Sequence, residues 1–139
     1  MEKQFPKAVV GCVIVNDKKE VLMVRSYKWP KHWIIMGGHV EWGEKIADAV
    51  AREVMEEVGL KVQFVRIIDV AEFVLDPDFH DKKHMIALQS ECKVVGDPTP
   101  KIDNDEIQEV RWFSLADAIA LPNILPATQH TLRKMLPNA

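Results

Sequence analysis

Three glutamates, Glu53, Glu56 and Glu57, stand at positions i, i+3 and i+4. On a helix this spacing gathers them on one side, within an arc of about 100°. The arrangement is costly by itself. Glu53 and Glu57 form a like-charge i, i+4 pair, which disfavours a helix, and all three lie near its C-terminal end, where the helix dipole also repels negative charge. Neither Glu53 nor Glu57 has a lysine or arginine four residues later on the helix, since Lys61 lies beyond Gly59, and Arg52 is the one local base, within reach of Asp48 and Glu56. A bound divalent cation would neutralise such a cluster. Ligands that are all oxygen select a hard ion, Mg²⁺ or Mn²⁺, rather than zinc. That ion can polarise a phosphoryl oxygen and ready a water for attack. A solvated glutamate face would explain the three residues equally well, so the surrounding sequence has to decide.

The helix that carries them is marked by Ile46, Val50, Val54 and Val58, one every fourth residue, with Ala47 and Ala51 alongside. Gly59 is a natural stop, because glycine takes the left-handed conformation without steric cost. The carboxylates border the valine stripe at the rim of the core, and Ala49, one turn before Glu53 in the same arc, is small enough to leave space above them. The segment Gly37–Glu44 reads as a glycine-rich turn into the helix. Ahead of it, Ala8–Val15 and Val21–Arg25 read as strands joined by a polar turn, and Ser26–His32 as a basic and aromatic loop.

Beyond the helix, extended patterns recur in Lys61–Leu75, His84–Val95 and Glu109–Phe113. Asp76-Pro77-Asp78 breaks the first of these, and Gly96–Asp105 is a loop. Ser114 is placed to cap a short helix through Ala120, and Ala127–Leu136 reads as a last helix. Strands and helices interleave, so the expectation is an α/β fold with a mixed sheet and helices packed on it.

A length of 139 residues suits one domain, 1–139, and 47% hydrophobic with 28% charged residues is an ordinary globular mix. A net charge of −3 argues against binding bulk nucleic acid through a basic surface. Cys12 and Cys92 lie in apolar runs without motif spacing and read as buried free thiols, which suits a reduced, cytoplasmic setting. No apolar run is long enough to cross a bilayer, so no membrane partner is expected.

From Gly38 the chain reads G-HVEWG-E-KIADAVA-REVMEEVGL, which resembles the Nudix box, G-x5-E-x7-R-E-U-x-E-E-x-G-U, with U a bulky aliphatic residue. Gly38, Glu44, Arg52, Glu53, Val54, Glu56, Glu57, Gly59 and Leu60 all match. Nine restricted positions across 23 residues are far more specific than a short glycine motif. The box spans about a sixth of the chain. Trp33 ahead of the glycines and the late Val110–Leu115 stretch also look like the family.

The resemblance implies a Nudix-type α/β/α sandwich and Mg²⁺-dependent hydrolysis of a phosphoanhydride bond in a nucleoside diphosphate derivative, with Mn²⁺ a substitute. A nucleoside triphosphate is the first expectation. ADP-ribose or a nucleotide sugar is the alternative, as is a non-catalytic nucleotide-sensing module. Glu53, Glu56 and Glu57 would be metal ligands together with the backbone carbonyl of Gly37, Glu53 could instead be the base, Arg52 would orient the glutamates, and Glu44 would support the loop. Glu106, six residues before Trp112, resembles an extra loop glutamate of MutT-type members, with Asp103 and Asp105 as rivals. A homodimer also fits the resemblance.

Two positions depart from the pattern. Met36 replaces the usual proline before the glycine pair, and Thr128 follows Pro126-Ala127 where MutT-type sanitising enzymes carry a base-reading asparagine. Thr128 is therefore expected to meet the substrate with a hydroxyl. Arg25 is expected to contact phosphates, in preference to Lys28 and Lys31, and one of the loop aromatics Trp29, Trp42 and Phe79 to stack on a base, with Trp42 the choice.

Overall fold

The computed structural model describes residues 3–102 and 105–137. The first apolar run forms strand β1 (Lys7–Val15), and the polar turn after it leads into β2 (Glu20–Ser26). Asn16 fastens that turn, its side-chain carbonyl accepting from the backbone N–H groups of Lys18 and Glu20 at 3.0 and 2.9 Å. Two short strands follow, β3 (Trp33–Ile34) and β4 (Met36–His39).

The glycine pair thus sits in a strand and not in the expected turn, which is confined to the residues after it. Gly37 and Gly38 oppose Gly11 and Val10 of β1. A side chain on Gly37 would stand 2.5 Å from the Val10 carbonyl oxygen, and one on Gly38 would overlap the Glu53 carboxylate. These glycines serve close approach within the sheet.

Helix α1 (Ile46–Val58) follows the predicted period, and Gly59 closes it at φ 67°, its N–H donating to the Met55 carbonyl. Val50, Val54 and Val58 are fully buried. Each contributes about 1.5–3 kcal/mol by burial, which outweighs the roughly 0.2–0.5 kcal/mol cost of the Glu53/Glu57 repulsion. Packing therefore holds a helix that its charges oppose.

Strands β5 (Val62–Val74), β6 (His84–Val94) and β7 (Ile107–Ser114) complete a seven-stranded sheet of order β3-β2-β1-β6-β5, with β4 on β1 and β7 on β2. The β1–β6 pairing is parallel and the rest antiparallel, so the sheet is mixed, as expected. Helices α2 (Leu115–Ile119) and α3 (Pro126–Arg133) follow. Ser114 caps α2 as predicted, its hydroxyl accepting from Asp117 N–H at 3.1 Å. Strand β7 begins two residues earlier than the sequence suggests, because pairing with β2 extends to Ser26↔Ile107. The last helix closes at Arg133, short of Leu136.

Alternation along β1 divides the interior. Val10, Cys12 and Ile14 share a core with the α1 valines, while Val13 joins Val21, Met23, Ala118 and Leu132 in a second core under α2 and α3. The result is the α/β/α sandwich. Cys12 and Cys92 are both buried free thiols. Among the described residues no helix is long and apolar enough to cross a membrane.

Candidate functional site

Arg52 organises the end of α1. Its guanidinium grips Glu44 through two bonds, Nε to Oε2 at 2.7 Å and Nη2 to Oε1 at 2.9 Å, the fork geometry that suits a carboxylate. Nη1 donates to Glu53 at 2.8 Å and to Glu56 at 3.2 Å, and Nη2 reaches the His39 carbonyl at 2.9 Å. Helix, turn and β4 are thereby tied at one point. The hydrogen bonds from Arg52 hold the Glu44 carboxyl down to about 2. Arg52 turns to Glu44 and Glu53 rather than to Asp48, because the turn before α1 brings Glu44 alongside it.

Glu53 is 9% exposed, under Gly38. Burial raises its pKa, with Arg52 opposing. Glu57 is more extreme. Burial, a hydrogen bond to Glu106 and the nearby charges of Glu53 and Glu106 push its carboxyl up to about 9. Glu106 is held lower by that same bond and by Lys28, whose Nζ lies 3.4 Å from Glu106 Oε1. The two carboxyls both line the same cleft.

That cleft, of about 410 Å³, is lined by Lys28, Gly38, His39, Glu53, Glu56, Glu57, Asp105 and Glu106. Among the described residues no three carboxylate, histidine or cysteine groups already converge as a ready-made metal cage, since Arg52 holds Glu53 and Glu56 while Glu57 turns to Glu106. The donor chemistry nevertheless fits a hard cation. Five carboxylates line the cleft beside one lysine, Lys28, while Arg52 bonds Glu53 and Glu56 from outside the lining, so negative charge is in excess there.

The cleft opens into a second, narrower pocket of about 100 Å³, sharing Lys28, Gly38, His39, Glu57 and Glu106 at its mouth. Its walls are apolar and aromatic. Trp29 lies 4.8 Å from Phe79 and 5.3 Å from Phe73, centroid to centroid, with Ile34, Met85 and Leu125 adding to the lining. Ser26, Gln89 and Thr128 are buried, uncharged polar residues in its lining, and Lys83 adds a second lysine. Burial and then Lys83, Lys28 and Lys7 lower the pKa of His39, so the rim is basic where the floor of the cleft is acidic.

The box resemblance implies the Nudix family, and comparison bears the family out. The chain matches the family described as NUDIX domain over residues 5–138. It belongs to the Nudix family. It is 31% identical over 115 residues to diphosphoinositol polyphosphate phosphohydrolase 2 of Rattus norvegicus, covering 81% of this chain and 60% of that protein. The human diphosphoinositol polyphosphate phosphohydrolase 3-alpha is 30% identical over 113 residues, with 81% and 66% covered. The chain thus spans about three fifths of the length of the first of these relatives. Among solved structures, the MutT Nudix hydrolase from Burkholderia pseudomallei has a TM-score of 0.77 at 26% identity, covering 96% of this chain and all of that one. A C. elegans Ap4A hydrolase has a TM-score of 0.74 at 22% identity, covering 93% and 94%, a likeness of fold. Nudix hydrolases generally use divalent metal ions such as Mg²⁺.

Within the Nudix fold, the structure gathers Glu53, Glu56, Glu57 and Glu106 around one cleft, with Arg52 beneath and Gly37 at the wall of the slot. Thr128 lines the slot. Asp105 lines the cleft beside Glu106, while Asp103 lies outside the described residues. Two substrate expectations are corrected. Arg25 shares the strand face of Val21 and Met23, opposite the slot, and stacks 5.5 Å over Trp33. Trp42 is fully exposed and lines neither pocket. Lys28, Trp29 and Phe79 line the pockets where Arg25 and Trp42 do not. Ala49 is fully buried and opens no space above the carboxylates.

Gln89, Lys83 and Phe73 went unnoticed as site residues. The β6 alternation could have found Gln89, since a polar amide among Met85 and Ala87 on one strand face breaks an apolar pattern.

Proposed function

We propose that this Nudix domain hydrolyses a phosphoanhydride bond of a nucleotide, a nucleoside triphosphate being the first choice, with Mg²⁺ as cofactor and Mn²⁺ as a substitute. One observation carries this: the acidic cleft and the aromatic slot share a mouth, so one molecule with a flat base and a polyphosphate chain fills both. Glu56, Glu57 and the Gly37 carbonyl would hold the cation, with Glu106 opposite and Glu53 serving as the base instead of a ligand. Such an ion supplies charge stabilisation to the phosphoryl oxygens.

The side chains do the rest. Arg52 fixes one oxygen of Glu53 and leaves the other at the cleft, placed to take a proton from the attacking water. Water adds its oxygen to one phosphorus, the anhydride bond breaks, and pyrophosphate leaves with a nucleoside monophosphate remaining. Lys28, at the junction of cleft and slot, neutralises the phosphate chain there. Trp29 and Phe79 offer faces for the base.

A second reading, a diphosphoinositol polyphosphate, is favoured by the names of the relatives and by the rim lysines Lys7, Lys28 and Lys83. It leaves the aromatic slot without a use.

The deciding experiment is a substrate panel of nucleoside triphosphates, ADP-ribose, a dinucleoside tetraphosphate and a diphosphoinositol polyphosphate, followed by phosphate and pyrophosphate release. Turnover of a nucleotide that requires Mg²⁺ and stops in EDTA is expected. A folded protein that turns over no nucleotide, or that prefers the inositol compound, overturns the proposal.

A further inference from the structure

Gln89 lies on the β6 face shared with Met85 and Ala87, and that face lines the slot. It is 3% exposed, yet among the described residues its amide has no hydrogen-bond partner. No buried side-chain nitrogen or oxygen sealed from space lacks a partner among those residues, so the Gln89 amide meets the slot itself. Thr128, on α3, behaves alike: 2% exposed, lining the slot, its hydroxyl without a partner among the described residues. Polar groups that face a slot with no protein partner are free to bond what enters it.

The neighbouring strand is shaped around that amide. Gly11 pairs with Gln89 across β1 and β6, and a side chain on Gly11 would overlap the Gln89 Oε1. Gly11 has no positive φ and no turn to make. What its missing side chain provides is the bed on which the Gln89 side chain lies. Aromatic walls with one fixed amide at the floor match a flat heteroaromatic ring that carries a donor and an acceptor side by side. An amide pairs with such an edge through two hydrogen bonds. Phosphate or sugar alone offers no donor–acceptor edge of that kind, and acyclic polyphosphates have no ring to stack.

We infer that Gln89, bedded on Gly11 and joined by Thr128, is the residue pair that recognises the edge of a nucleobase held in the slot. The inference rests on the nucleotide reading above and assigns its specificity to two named side chains.

The test separates binding from hydrolysis. AMP, GMP, CMP, UMP and ribose 5-phosphate are titrated into the full chain in EDTA by calorimetry, for the wild type, Gln89→Leu, Gly11→Ala and Thr128→Val. The wild type should bind at least one nucleotide and discriminate among bases, with ribose 5-phosphate far weaker. Gln89→Leu should weaken the preferred nucleotide about 10- to 100-fold and flatten the discrimination. Gly11→Ala, which keeps the amide but displaces it, should do the same in part, and Thr128→Val should weaken binding by a smaller factor.

Melting curves establish that each variant is folded, and Thr128→Val carries the test if the β-sheet variants are not. Equal affinity of the wild type for ribose 5-phosphate overturns the inference, as does discrimination unchanged in Gln89→Leu or, where the β-sheet variants do not fold, in Thr128→Val. The two proposals fail separately. Base binding that depends on Gln89 without Mg²⁺-dependent turnover sinks hydrolysis alone, and turnover with base selectivity indifferent to Gln89 sinks the recognition pair alone.

Discussion

Asp69 and Glu57 are both shielded carboxylates on the two sides of the sheet, and they are treated in opposite ways. Asp69 on β5, with 7% of its side chain exposed, receives Lys134 Nζ at 2.8 Å, Thr131 Oγ1 at 3.0 Å and the His130 ring at 3.0 Å. Burial pushes its pKa up, but Lys134, His130 and Thr131 outweigh it and the net shift is downward. Those donors tie α3 to the sheet. Glu57 has burial, a second carboxylate and Glu53 against it, and its carboxyl rises to about 9. A carboxylate given its donors by the fold is structural. One left facing another carboxylate is held for something that arrives from outside.

The hardest blow to this contrast comes from Glu53→Gln. The substitution keeps the shape of the side chain and removes a charge that its neighbours resent, so melting should hardly change. Turnover of the best substrate should fall about 10²- to 10⁴-fold, the range for losing a positioned base. Steady-state rates measured beside a melting curve decide it. Rates within a few-fold of wild type would mean that Glu53 has no chemical part.

A paired substitution sharpens the comparison itself. Asp69→Asn removes the charge and one of the two acceptor oxygens that serve three donors and should cost about 2 kcal/mol. The Asp69 contribution is present above its unfolded pKa of about 3.9 and is lost only as pH falls through its lowered folded value. Glu57 runs the other way. Its folded carboxyl keeps a proton from about pH 4.3, where the unfolded chain releases it, up to about 9, so metal-free stability should decline as pH rises through that window. Glu57→Gln should remove that decline and gain about 1–3 kcal/mol at pH 8. Mg²⁺ should flatten the same slope in the wild type. Urea melts in EDTA at pH 5 and pH 8 measure both signs, and a slope that survives Glu57→Gln would show that Glu57 does not produce it.

Legibility in the sequence followed the range of the interaction. The α1 stripe, the Gly59 stop and the Glu53, Glu56, Glu57 arc were readable because a helix fixes neighbours within four residues. Glu106 and Thr128 were readable only through resemblance, since folding, not spacing, brings them to the cleft and slot. The glycine pair was misread as a turn because close strand approach and turn formation call for the same residue, and only the Val10 carbonyl and the Glu53 carboxylate reveal which applies. Arg25 was chosen over Lys28 on the argument that a strand fixes its side chain. The strand does fix it, on the wrong face, and the face depends on a register no single sequence shows. Gln89 needed its partner Gly11, 78 residues away in sequence and adjacent in the sheet.

The smallest effect belongs to Trp42, the aromatic that sits inside the motif and outside the site. Its ring is fully exposed in the turn before α1, and among the described residues no hydrogen bond or ring contact holds it. Trp42→Ala should change stability by no more than about 0.5 kcal/mol, as for surface positions generally. Substrate KM should shift less than about twofold if the base lodges against Trp29 and Phe79 instead, a difference of some 0.4 kcal/mol. Trp29 is the contrast: buried against Phe73 and Phe79 in the slot, it should lose far more of both stability and affinity when changed to alanine. Kinetics of Trp42→Ala on the preferred nucleotide make the check. A large rise in KM there would move the stacking surface out of the slot and onto the motif turn, and would take the aromatic half of the site with it.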